Sequence, residues 1–301
     1  MIEGGLIVSR FLHYTAVLVL FGLSLFPLYA YPYRAGPQPA RSGLRTYWFL
    51  LSAAVVALLS SLPWLAFTAA NMAGNMGAAL DWETLGPVVH DTSFGFVWLA
   101  RAALALLIIG LIVVGRDCNR IAPALLAAAL LASLAAVGHT QQTEGAASVI
   151  HAGADALHLL AAGAWIGGLL MLAYVLASGA DDAEQVLMRF SGMGYVAVAI
   201  LIASGLVNSW YLVGTLDALV STPYGQLLIA KLCVFAGMLS LAVANRFWLV
   251  PALGRDGGGA KQPVLDRLRR HVVAEEALGL VVVLIVSALG TMEPAATQLA
   301  N

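Results

Sequence analysis

The chain has 301 residues, of which 61% are hydrophobic and only 10% charged, against roughly a quarter charged in an ordinary soluble domain. With a formal net charge of −1 and no basic stripe interleaved with aromatics, nucleic acid is not expected as a partner; membrane lipid is. Apolar runs of about 20 residues, in place of short alternating segments, exclude a β-barrel and predict an all-α polytopic membrane helix bundle.

In chain order the apolar runs fall at 7–30, 46–70, 94–115, 121–138, 153–177, 190–213, 225–250 and 272–291, which predicts eight transmembrane helices. The first run has neither a basic flank nor a small-residue cleavage site and reads as a retained helix. The longest connection, about 71–93, is too short for a soluble domain, so residues 1–301 read as a single membrane domain, with 1–138 and 139–301 as possible halves. No internal repeat is apparent among the runs. Cys118 and Cys233 form neither a CxxC site nor a disulfide framework. Twelve of the 15 Lys and Arg lie in or beside the connections after the first, third, fifth and seventh runs, and none lies in the connections after the second, fourth and sixth. Positive charge stays in the cytoplasm, so both termini are expected on the periplasmic side.

That topology places candidate ligands by depth. His13 falls in the outer half of the first helix, His90 before the third, His139 at the end of the fourth, and His151 and His158 at the start of the fifth. Only His271 belongs to the inner end. His151, Asp155 and His158 are spaced i, i+4, i+7 and share a helix face within an arc of about 60°. Imidazole and carboxylate so arranged can bind a transition metal, or one can orient another. The alternative is a polar first turn, with Asp155 favoured by the helix dipole. His158 lies about 10 Å further along than His151, deeper than an interfacial residue requires.

In "NMAGNM", residues 71–76, Met72 and Met76 are four apart and could share a face. Thioethers are soft ligands that favour Cu(I), so methionine together with histidine points to copper; alone, the pair would serve as packing. Arg101 and Lys231 are costly in lipid and must face the interior, a cavity or an ion-pair partner. "NRFWLVP" at 245–251 and "HVVAEE" at 271–276 suggest an ion pair of Arg246 with Glu275 or Glu276, either as a bundle clamp or as an inner gate on a path past Lys231. Trp64, Trp82, Trp98 and Trp210 read as an interfacial belt. No P-loop, HExxH, GxSxG or GxGxxG is present, and no enzymatic activity is expected.

The segments "GHTQQTEG" (138–145), "HAGADALHLLAAGAWIGGLLML" (151–172), "RFSGMGYVAVAILIASGLVNSWYLVG" (189–214), "YGQLLIAKLCVFAGMLSLAVANRFWLVPAL" (224–253) and "RRHVVAEEALGLVVVLIVSALGTMEP" (269–294) resemble the copper resistance D (CopD/PcoD) family of bacterial inner-membrane proteins. The resemblance covers the C-terminal half almost continuously and implies an eight-helix copper transporter of the inner membrane, served by a separate periplasmic copper carrier of the CopC type. The expected function is copper ion transport, as Cu(I) or Cu(II), loaded from a periplasmic His/Met/Asp site. Two other readings stay open. One is a haem-b electron-transfer protein, with two of His13, His139 and His158 as axial ligands. The other is a copper-binding scaffold or sensor that moves no ion.

Overall fold

A computed structural model describes residues 1–31, 40–115, 121–136, 145–178, 183–255 and 261–298. The helices are α1 (Ile2–Ala30), α2 (Ala40–Ala73), α3 (Trp82–Asp91), α4 (Ser93–Val114), α5 (Ile121–Ala132), α6 (Ala146–Ser178), α7 (Ala183–Leu212), α8 (Leu216–Ser221), α9 (Pro223–Ala244), α10 (Val250–Arg255), α11 (Lys261–Leu289) and α12 (Ala295–Gln298). Short 3-10 turns follow α2 and α5, and a π turn, Asn245–Leu249, joins α9 to α10. No strand occurs among the described residues.

Among the described residues, seven helical stretches are long and apolar enough to cross a membrane. The fourth expected span is shorter than the sequence suggested. Ile121–Ala136 is 12 residues of α-helix and a four-residue 3-10 turn, a rise of about 26 Å against a hydrocarbon core of about 30 Å. It is an Ala-rich strut with Ala127, Leu130 and Leu131 fully buried.

Helices α1 and α6 form the centre. α1 packs on α2, α5, α6 and α11, and α6 packs on α1, α5, α7 and α11. Where they cross, a Cβ on Gly22 would collide with Gly167 Cα and the Gly163 carbonyl, and a Cβ on Gly167 would lie 2.6 Å from Gly22 Cα. Apolar side chains gain little by leaving lipid, so close backbone contact between small residues is what holds membrane helices together.

A construction repeats on either side of this crossing. In both halves a long helix (α2, α7) is followed by a short one (α3, α8), a threonine, and a spanning helix (α4, α9). The threonine, Thr92 or Thr222, donates its hydroxyl to the carbonyl of Val88 or Ala218, at 2.5 or 2.6 Å, and accepts the N–H of Gly95 or Gly225 at 3.0 Å in each case. This is an N-cap made twice. A Cβ on Gly95 or Gly225 would strike carbonyls of the short helix before it, so glycine is required at both positions.

The spacing extends further. Gly22 follows His13 by nine residues and Gly167 follows His158 by nine; Arg101 follows Thr92 by nine and Lys231 follows Thr222 by nine. Gly22 and Gly167 thus hold equivalent places and touch each other, as a two-fold relation requires. Unrelated apolar residues between these fixed points hide the correspondence in the sequence.

Candidate metal site

On α6, His151, Asp155 and His158 share the face turned to α7, and each meets a partner there. The His151 ring stacks on Tyr211, with centroids 4.7 Å apart and planes 15° from parallel. Asp155 accepts a hydrogen bond from Asn208 Nδ2 at 3.1 Å, and His158 Nδ1 lies 3.0 Å from Ser204 Oγ. The partners Ser204, Asn208 and Tyr211 are themselves spaced i, i+4, i+7, so the two helices form a polar ladder. That spacing within "SGLVNSWY" was the available signal for these three residues, which sequence reasoning missed.

The ladder fixes the state of one ligand. Ser204 Oγ donates to the Ile200 carbonyl at 2.5 Å. Its single hydrogen is therefore used, and the oxygen can only accept from His158. Neutral His158 carries its proton on Nδ1, and Nε2 keeps a lone pair, the form in which imidazole binds a metal. The side-chain partner of His158 is Ser204, and it is reached from Nδ1. Lys231 on α9 stands across from this pair, and its charge acts on both Asp155 and His158.

His13 is held differently. Ser60 Oγ donates to the Ala57 carbonyl at 3.2 Å, so His13 Nδ1 donates to Ser60 at 3.1 Å. Nε2 then accepts from the Arg101 guanidinium. Arg101 is only 4% exposed and lies over Trp64, 4.9 Å from the ring centroid, with Arg10 at 5.9 Å. Trp64, at 2% exposure, is thus the centre of a cationic cluster and no part of the interfacial belt. Trp82 and Trp210 are exposed, while Trp98 donates its indole N–H to the Ser61 carbonyl.

The remaining candidates scatter. His90 is exposed at the end of α3, and His139 lies outside the described residues. Met72 and Met76 do not share a helix face: α2 ends after Ala73, Gly74 turns the chain at φ 68°, and Met76 opens a 3-10 turn. No group of three His, Cys, Asp or Glu suited to a metal ion occurs among the described residues.

At the other end of the bundle the expected ion pair of Arg246 with Glu275 or Glu276 is not formed. Arg246 Nε donates to Tyr195 Oη at 3.2 Å, and Glu275 accepts from Asn245 Nδ2. Asn245 Oδ1 accepts in turn from His271 Nδ1 at 2.9 Å. The π turn is the reason: its wider winding changes the direction of the residues it contains, so Asn245 is buried against α11 while Arg246 reaches α7. Glu276 Oε2 has no hydrogen-bond partner among the described residues.

Residues 1–149 match the family model for the copper resistance protein D-like N-terminal domain, and residues 184–289 match that for copper resistance protein D. The chain is 33% identical over 293 residues to inner membrane protein YebZ of Escherichia coli, covering 96% of this chain and 98% of YebZ. It is 34% identical over 308 residues to copper resistance protein D of Pseudomonas syringae pv. tomato, with 96% of each covered. It is 29% identical over 302 residues to copper transport protein CutJ of Bacillus subtilis, covering 96% of this chain and 53% of CutJ. No solved structure matches it. With two curated relatives above 30% identity over nearly their whole length and seven membrane-length helices, the chain belongs to the copper resistance protein D family and is a multi-pass inner-membrane protein.

Proposed function

We propose that this protein transfers copper ions, Cu(I) or Cu(II), across the inner membrane, receiving them from the periplasmic side at the α6–α7–α9 cluster and performing no enzymatic step. The observation that carries the proposal is the bond from His158 Nδ1 to Ser204, which leaves Nε2 as a ligand beside the Asp155 carboxylate. A relative named for copper transport and another named for copper resistance support copper as the cargo.

In this reading both termini face the periplasm, as the Lys and Arg distribution implies, and a separate carrier of the CopC type delivers the ion. His151 is nearest the helix start and receives it first. Asp155 offsets its charge, His158 binds it deepest, and the path continues past Lys231 towards Arg246, Glu275 and Glu276. Proteoliposomes loaded with a copper-sensitive dye test this. Wild-type protein is expected to admit copper and His158→Ala to admit none while keeping its fold. Equal uptake by the two would overturn the site. Wild-type protein that binds copper without passing it would instead support a scaffold or sensor.

A further inference from the structure

A cavity of about 110 Å³ lies between α6, α7, the end of α9 with its π turn, and α11, away from the His158 cluster. Its deep walls are apolar and buried, formed by Leu169, Leu172, Phe190, Leu268 and Val272. Its mouth is different: Tyr195, Val243 and Phe247 line it and are exposed on the outer surfaces of α7, α9 and the π turn. A cavity that opens sideways through exposed apolar residues of membrane-spanning helices is filled from the bilayer.

One end is polar, and it is polar in two senses. Arg246 and the Tyr195 hydroxyl offer hydrogen-bond donors, while the Glu275 carboxyl, fixed by Asn245, offers an acceptor. A phosphate headgroup would meet Arg246 but also Glu275. Quinone carbonyls accept from Arg246 and Tyr195, and the hydroxyls of the quinol also donate to Glu275, so a neutral head of this kind suits the rim. Aromatic walls from Trp165, Phe190 and Phe247 suit a flat ring, which stacks against such faces. The π turn that aims Arg246 at Tyr195 is an irregularity of the kind frequent at ligand sites.

We propose that this cavity binds a membrane quinone or its quinol, with the ring at Arg246, Tyr195 and Glu275 and the isoprenoid chain leaving between α7 and the π turn. Only binding is inferred; the cavity shares Arg246 and Glu275 with the inner end of the proposed copper path.

Purified full-length protein titrated with decyl-ubiquinone is expected to show saturable quenching of tryptophan fluorescence, much reduced in Trp165→Phe. Gly194 lines the cavity with open space where a side chain would stand, so Gly194→Leu fills it without a clash. That variant should weaken quenching at least tenfold with copper binding unchanged, and Arg246→Gln should weaken quenching several-fold. Excess phosphatidylglycerol should not displace the quinone. An azido-quinone should label peptides containing Tyr195, Arg246 or Phe247, an assay independent of whether any variant folds. Quenching that rises without saturating, survives Gly194→Leu or yields to phosphatidylglycerol would overturn the proposal, as would labelling confined to other helices.

Discussion

The cluster on α1, α2 and α4 and the cluster on α6, α7 and α9 are built to one plan but carry opposite charge logic. Arg10 and His13 correspond to Asp155 and His158, three residues apart in each case; Ser60 and Trp64 correspond to Ser204 and Asn208, four apart; Arg101 corresponds to Lys231. Both histidines donate from Nδ1 to a serine whose hydroxyl is spent on its own helix. In the first cluster Nε2 is taken by Arg101, and Arg10 adds a second positive charge. In the second, Asp155 stands where Arg10 stood, and no guanidinium bonds to the His158 ring among the described residues. A monovalent cation about 5 Å from a guanidinium is repelled by ~3 kcal/mol at an effective dielectric of about 20. Two such groups disfavour a cation in the first cluster, while one carboxylate opposite one ammonium leaves the second roughly neutral.

The largest effect is expected at the crossing that both halves share. Gly22→Leu or Gly167→Leu forces side chains into the opposing backbone, well beyond the 1–3 kcal/mol of ordinary overpacking, and should abolish folded protein by size-exclusion chromatography. Next is the contrast between the histidines: His158→Ala should weaken copper binding by about a hundredfold in competition with a chelator, and His13→Ala by less than threefold. Equal losses would break the distinction between the clusters. Charge alone is tested by Asp155→Asn, for which about a tenfold loss is expected, and by Asp155→Arg, which copies the first cluster and should bind no copper. Ser204→Ala frees the His158 ring to turn and should cost about tenfold, since hydrogen-bond partners that orient metal-binding histidines contribute on that scale. The smallest effect concerns the shared plan. Thr92→Ala and Thr222→Ala each remove the same cap, so each should lower stability by about 1 kcal/mol, to the same degree, in denaturant unfolding. Purified protein without a Soret band would also remove haem ligation by His13 and His158, consistent with rings that each bond to a serine on a neighbouring helix.

Much of the architecture was legible in the apolar runs, because a membrane leaves helices few alternatives: residues 7–30 and 46–70 fall within spanning helices, and 272–291 overruns its helix only past Leu289. The run at 121–138 misled because composition reports apolarity and not the point at which a helix tightens into a 3-10 turn. Gly163, Gly167 and Gly168 of α6 meet close neighbours on α1, α5 and α7. The Arg246 ion pair failed because its prediction assumed uniform helical winding through Asn245, where the chain makes a π turn. Trp64 failed because an aromatic near a helix end reads the same whether it faces lipid or two guanidiniums.

By itself the sequence determined that this is a polytopic helical membrane protein of a copper-handling family, and that His151, Asp155 and His158 lie on one helical face. Hydrophobic length and helical spacing are local properties, written within a single segment. Only the tertiary structure decided which nitrogen of each histidine carries its proton, which cation stands opposite it, and that the two halves share one plan. Those depend on contacts across 46 or 47 residues for the serine partners and 88 for Arg101. Nothing in a single helix records what its neighbour will present.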